Sequence, residues 1–314
     1  MTTAAPLIWL HADEAFFPSS IANQLANTHP NDANFTAIQS VPSPLTLDNL
    51  DQLNNLGGSN VWLSSNDDFT QLPDWIRGVK PDEDGSTQGA ISCAVIMQDK
   101  MNGLLDAYYM YFFAYNQGDF VLEEELGDHL GDWEHTMVRF DTTTGTPQSA
   151  WLSQHAAGGA YQYSALEKIG QRAVLYSGNG THANYATVGS HDHTVPGVPA
   201  VVGILNDYTN RGTLWDPTQE AYFYSITFPN GTAVGDSSDP TFEPFDGAPV
   251  NWLYFLGKYG DNQLPDGDPR QVDTIYPKYV GGPTGPRDKQ LNRDKICGNF
   301  LDICDVKAYL PPGA

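Results

Sequence analysis

From Leu104 to Ala114 the chain is apolar on both alternating faces, with Asp106 as the interruption. A strand buried on one face alternates; a strand covered on both does not, so this run predicts the centre of a sandwich. Gly131 to Phe140 is again rich in β-formers, and the acidic stretch between the two runs lets the chain return antiparallel. Period two then places Asp132, Glu134 and Thr136 on one face and Trp133, His135, Met137 and Arg139 on the other.

Shorter strands are predicted at Pro6–His11, Val61–Leu63, Ala90–Gln98, Gln148–Gln154, Arg172–Tyr176 and Ala221–Phe228, with a tight turn at Met101-Asn102-Gly103. Ile21–Leu25 reads as a short helix behind a Ser cap, and Tyr163–Lys168 as a helical turn stopped by Gly170. Thr28–Gly58, Asp67–Gly89 and Asp236–Pro249 carry little periodicity and read as loop, Leu214–Pro217 as a turn. Asn251–Gly257 fits strand or helix equally. Beyond Asp261, Pro, Gly and Asp dominate, so 261–314 is expected to be an extended C-terminal arm. Without internal repeat or clear linker, the pattern predicts a mostly β chain: one elaborated β-sandwich domain over 1–314, with long loops and a few short helices.

Composition narrows the function classes. Apolar residues are 40% of the 314, enough for a sizeable core. Thirty-eight acidic against 15 basic side chains give a net charge of −23, which repels nucleic acid and anionic membranes and suits cations. No apolar run approaches the roughly 18 residues of a membrane span. Ala4–Leu10 runs straight into His11, Asp13 and Glu14 without the pattern of a signal peptide, so an exported protein would be a mature form. Cys297 and Cys304 are separated by a distance that allows a short-loop disulfide, whereas Cys93 lies in an apolar run and reads as a buried thiol. Asn34, Asn179 and Asn230 are glycosylation sequons. A monomer is expected.

The candidate chemistry gathers around Asp128-His129-Leu130-Gly131-Asp132-Trp133-Glu134. Two carboxylates on one strand face repel and are costly to bury unpaired, and a divalent cation would resolve that cost with His129 joining from the turn. The alternative is a solvated acidic turn leading into an edge strand. Asn116 and Asp119 are nearby oxygen donors, so calcium, magnesium or manganese fits the donor set better than structural zinc. Six of the eight histidines fall within residues 129–193. His155 and His182 each follow a predicted strand in a glycine-bearing turn and are expected to face the cleft of Glu134; they are the candidate bases if there is a reaction. His191, His193, Trp133 and Asn184 are the candidate ligand contacts. The chain has no Gly-x-Ser-x-Gly elbow, Walker loop or dinucleotide fingerprint.

Two resemblances bear on these residues. The segments PLIWLHADEAFFPSSIANQL, DAYYMYFFAYN, GDHLGDWEHTMVRF, WLSQHAAGGAY and YSGNGTHANYA, with others between Pro6 and Tyr224, resemble the fungal vacuolar protein sorting-associated protein 62 family. That resemblance implies a sorting role by name and no particular reaction. Separately, 128–134 is similar to the Gly-His-Arg-His-Asp-Trp-Glu signature of the necrosis- and ethylene-inducing peptide-like proteins. Those are secreted β-sandwich toxins that hold a divalent cation in a cleft and bind sphingolipid sugar headgroups. The resemblance implies cation ligands at His129, Asp132 and Glu134, with Asn116 where a further acidic ligand is expected. Asp128, Leu130 and Gly131 depart from the signature. The leading expectation is a secreted or vacuolar protein binding a divalent cation and, through it, a carbohydrate or glycolipid headgroup. A metal-dependent glycoside, ester or phosphodiester hydrolase is the enzymatic alternative, and a vacuolar sorting factor the third.

Overall fold

The computed structural model describes residues 4–121, 124–193, 205–229, 240–272, 276–298, 301 and 303–310. Its centre is the pair of thirteen-residue strands Leu104–Asn116 and His129–Asp141, antiparallel from Leu104 opposite Asp141 to Asn116 opposite His129. They lie inside an eight-stranded sheet whose order is Thr241–Pro244, Ala221–Thr227, Cys93–Asp99, Leu104–Asn116, His129–Asp141, Pro147–Gln154, Ala157–Gln162 and Val306–Lys307. A smaller sheet runs Lys168–Ile169, Arg172–Ser177, Leu7–Leu10, Thr213–Trp215, with Asn184–Tyr185 also paired to Arg172–Ser177.

Both faces of the large sheet are covered, which is why apolar side chains occur on both faces of its central strands. One face, bearing Val95, Tyr109, Phe113, Val138 and Leu152, packs on Ile8, Leu10, Leu175 and Trp215 of the small sheet. The other, bearing Ile96, Met110, Phe112, Trp133 and Met137, is buried under the 21–26 helix and the segments around Leu50, Leu63, Trp252 and Tyr259. The fold is therefore mostly β, as the periodicity predicts.

The helix Ile21–Ala26 is capped by Ser20, whose hydroxyl accepts from the Asn23 N–H. Asn251–Tyr254, ambiguous from sequence, is a turn of 3-10 helix. Several segments differ from the sequence reading, among them the following short strands. Thr28–Asn31 and Trp62–Ser65 form a two-stranded sheet, Thr213–Trp215 is a strand beside Leu7–Leu10, and Thr241–Pro244 extends the large sheet. Each is a short strand fixed by a partner distant in sequence, so local pattern carries no sign of it.

The C-terminal region contributes Leu291, Ile296 and Cys297 to the core and adds the strand Val306–Lys307, parallel to Ala157–Gln162. Cys297 and Cys304 are disulfide-bonded and Cys93 is a buried thiol. Thiol labelling of the denatured, non-reduced protein should report one reactive group per chain; three would exclude the bridge. Asn34 and Asn179 are exposed, while Asn230 lies outside the described residues.

Candidate functional site

At one end of the large sheet the strand His129–Asp141 outruns its neighbour Pro147–Gln154, which pairs only as far as Leu152 opposite Thr136. The start of the heptapeptide strand is thus open on that side, and side chains from other segments fill the gap. Asp132 and Glu134 point toward the small sheet, with Trp133 and Met137 in the core on the opposite face. Both carboxylates are buried, at 7% and 6% exposure.

His182 sits against Asp132. Its Nδ1 lies 3.0 Å from Asp132 Oδ2 and its Nε2 3.0 Å from the Phe16 carbonyl, with Glu14 Oε1 at 3.8 Å. Both neighbours accept, so both ring nitrogens donate and the ring is an imidazolium. Burial alone would disfavour that charge, but the hydrogen bond to Asp132 and the charges of Glu14 and Asp132 outweigh it and raise the pKa to about 10. The ring stacks on Phe113, with centroids 3.7 Å apart. An imidazole with both nitrogens donating has no lone pair for a proton, so in this state His182 orders the cleft rather than acting as a base.

Glu134 accepts from the Ser153 hydroxyl, which itself accepts from the His135 N–H. Burial and then repulsion by Asp132 push its carboxyl up to about 7. His135 on the other face is neutral, because its Nε2 accepts from Arg293 at 2.7 Å; burial and that guanidinium hold it well below the usual range. His129 Nδ1 lies 2.8 Å from the Gly131 carbonyl and must donate to it, which makes Nε2 the acceptor nitrogen, the tautomer a metal-bound imidazole needs. Asn116, opposite His129, donates to the Gly127 carbonyl. Gly131 has φ +66°, and a Cβ there would lie 2.0 Å from the Tyr259 carbonyl. The backbone at Tyr259 therefore occupies the room a side chain would need at this position of the motif.

His155 occupies the tip of a two-residue hairpin between Gln154 and Ala157, with φ +53°. It shares with Glu134, Ser153, Trp151, Lys289 and Arg293 a cavity of about 110 Å³. Its Nε2 donates to Asp207 Oδ2 at 2.7 Å. Burial opposes the charge, but this bond and the Asp207 charge raise its pKa to about 9. Asp207 has no exposed side-chain surface; despite burial, its donors hold it down at about 2. Thr181 and Tyr185 hydroxyls also donate to Asp207. His193 stacks on His155 with centroids 4.1 Å apart and places Nε2 2.8 Å from Asp119 Oδ2.

The remaining candidates are placed as follows. His191 stacks on Tyr185 and bonds the Thr187 carbonyl and Thr209 hydroxyl. Asn184 is buried, with its carbonyl accepting from Gln154 and its Nδ2 without a partner. Trp133, 1% exposed and stacked on Trp252, lines the cavity that holds Glu134 and His155. The turn glycines make room for protein rather than for a ligand: a Cβ on Gly178 would meet Thr181 Oγ1 at 2.6 Å and Asp207 Oδ1 at 3.1 Å. Sequence reasoning missed Glu14 and Asp207. Glu14 carries no local signal, but Asp207 and Thr209 alternate inward around Tyr208, a polar period two that marks them.

What these elements define is a mostly β protein with a buried, acid-rich cleft at one sheet end. The family model for vacuolar protein sorting-associated protein 62 matches residues 119–230, the stretch that supplies most of that cleft. Two Saccharomyces cerevisiae (strain ATCC 204508 / S288c) proteins match almost the whole chain. Vacuolar protein sorting-associated protein 62 is 32% identical over 98% of this chain and 70% of its own length. The vacuolar protein sorting-associated protein named TDA6 is 36% identical over 93% and 67%. The chain belongs to the vacuolar protein sorting-associated protein 62 family. Among solved structures, the non-toxic HaNLP3 protein superposes with a TM-score of 0.31 at 13% identity, over 70% of this chain and 71% of that one. Necrosis and Ethylene inducing Protein 2 from the causal agent of cocoa's Witches Broom disease gives 0.29 at 13%, over 59% and 66%. Such scores do not carry a site from one protein to the other. No helix among the described residues is long and apolar enough to cross a membrane.

Proposed function

We propose that this chain is a secreted or vacuolar binding protein whose cleft takes a divalent cation at Asp132 and Glu134, with His129 and Asn116 beside it, and through the cation a polar ligand of the carbohydrate class. The observation that carries the reading is the pair of buried carboxylates two residues apart on one strand face. His182 offsets the charge of Asp132, but Glu134 has only neutral Ser153 as its hydrogen-bond donor and is pushed up to about 7 by burial and by its neighbour. A hard cation favours oxygen donors and removes that repulsion. The adjoining cavity, about 110 Å³, is well below the roughly 300–1,000 Å³ of a site that engulfs a ligand, and suits an ion with its waters. The ligand would then rest on the rim rather than inside the cavity.

Melting the metal-free protein with added calcium or magnesium tests this. Binding to the native state must raise stability, by about 2.7 kcal/mol at a hundredfold excess over Kd. The increase should vanish in Asp132→Asn/Glu134→Gln. An unchanged melting temperature up to millimolar cation sinks the cation reading. If the cation binds, a glycan screen with and without it should give cation-dependent hits, and their absence removes the carbohydrate part.

A further inference from the structure

Among the described residues, the donor atoms that come nearest to a closed ion site belong to another group, beside the first. His155, His193 and Asp207 present donor atoms all within 4.8 Å of one another. Asp119 joins them through the 2.8 Å contact of its Oδ2 with His193 Nε2. We propose that His155 Nε2, His193 Nε2, Asp207 Oδ2 and Asp119 Oδ2 form a four-coordinate site for a zinc-like transition-metal ion, separate from the cation site at Asp132 and Glu134.

The geometry is close to that required. On the roughly 2.0–2.1 Å bonds of tetrahedral zinc, neighbouring ligand atoms lie about 3.3 Å apart. The separations here are 2.7 Å from His155 to Asp207, 2.8 Å from His193 to Asp119 and 4.0 Å from His193 to Asp207. These three bracket the target; Asp119 lies outside the 4.8 Å group and contacts His193 alone, so closing the set needs its carboxylate to swing inward toward His155 and Asp207. Two imidazoles and two carboxylates are the mixed nitrogen and oxygen donors that zinc accepts, whereas calcium and magnesium want oxygens alone. Charge is also balanced: one divalent ion against two carboxylates is neutral. Asp207 is already oriented by the Thr181 and Tyr185 hydroxyls, as ligating carboxylates are by their outer partners. His155 keeps 32% of its side chain exposed, which leaves the ion a way in.

The position of the four residues gives the ion a task. Asp119 lies in the two-stranded sheet Asp119–Val121 with Glu124–Leu126, and Asp207 in the sheet Gly189–Asp192 with Asn206–Thr209. Both are sheets of their own, outside the two large ones. His155 is at a hairpin tip of the eight-stranded sheet. One ion at this point ties both small sheets to the rim of the sandwich, next to the cleft.

Zinc alone is the probe, titrated into metal-stripped protein against a chromogenic chelator. One ion per chain should bind, and cobalt in its place should give the intense visible absorption of tetrahedral coordination. Asp119→Asn and His193→Ala, checked for an unchanged melting temperature in chelator, should each weaken zinc by at least the roughly 10–100-fold that outer partners alone cost. Asp132→Asn/Glu134→Gln should keep zinc while losing calcium, so the two sites fail or stand separately. Zinc should also slow proteolysis within the two small sheets. No stoichiometric zinc binding, binding indifferent to Asp119 and His193, or binding lost with Asp132 and Glu134 would each overturn the proposal.

Discussion

His182→Leu should destabilise the fold by about 3–5 kcal/mol at neutral pH, the cost of leaving one partner of a buried ion pair uncompensated. The isostere can still pack on Phe113, so lost volume is a small part of the effect. What it cannot do is donate. Asp132 loses its hydrogen bond from Nδ1 and faces the interior as a bare carboxylate near Glu134. Glu14 suffers less, since the Ala15, Phe16 and Gly180 N–H groups still donate to it. Adding Asp132→Asn to His182→Leu should therefore recover much of the loss, and a double variant no better than the single would exclude this origin. The pH dependence follows from the same contact. The His182 pKa is about 10 in the fold against about 6.5 in the unfolded chain, so its contribution is complete below pH 6.5 and fades as pH rises through 10. His155, raised to about 9, has the same sign. Unfolding free energy measured in urea should fall from pH 7 to 10 in the native protein and fall less in His182→Leu.

That contact shows where sequence reasoning stops. The strand alternation of 131–140 places Asp132 and Glu134 on one face and Trp133 on the other because period two is a property of the strand itself. The same reasoning puts His155 and His182 each after a strand, in a glycine-bearing turn. It cannot say that Glu14, 168 residues upstream of His182, closes the far side of the imidazole, since no local pattern encodes a contact made by a loop. Trp133 illustrates the converse. Its position in the motif invites a ligand role, yet its face of the strand is covered by Trp252 and Tyr259 from a segment that carries no strand periodicity. Gly131 likewise departs from the motif because the backbone at Tyr259 crosses it, a fact fixed by tertiary packing alone.

The lone polar residue in the apolar run is the other place where a single substitution should cost most. Asp106 is fully buried, and Arg139 lies directly opposite it on the neighbouring strand. The guanidinium meets the carboxylate in a two-pronged pair, Nε to Oδ1 at 2.7 Å and Nη2 to Oδ2 at 2.8 Å. Arg139 also donates to the Asp294 and Arg293 carbonyls, so the pair anchors the C-terminal region to the central strands. Asp106→Leu should lose about 3–5 kcal/mol, because Arg139 is left charged and mostly buried with only carbonyls to accept from it. Arg139→Met should cost as much by exposing the opposite fault, an unpaired carboxylate with no water. Combining the two replaces the ion pair by apolar surface of similar volume, an exchange that is often neutral or stabilising by 1–4 kcal/mol. Urea unfolding of the four proteins gives the coupling directly. If each single variant unfolds within about 1 kcal/mol of the native protein, the pair behaves as an exposed salt bridge would and the buried-charge account is wrong. If the singles are costly and the double variant recovers, the penalty is that of the orphaned charge, and the pair's own contribution is to fix the register between strand and arm rather than to add stability.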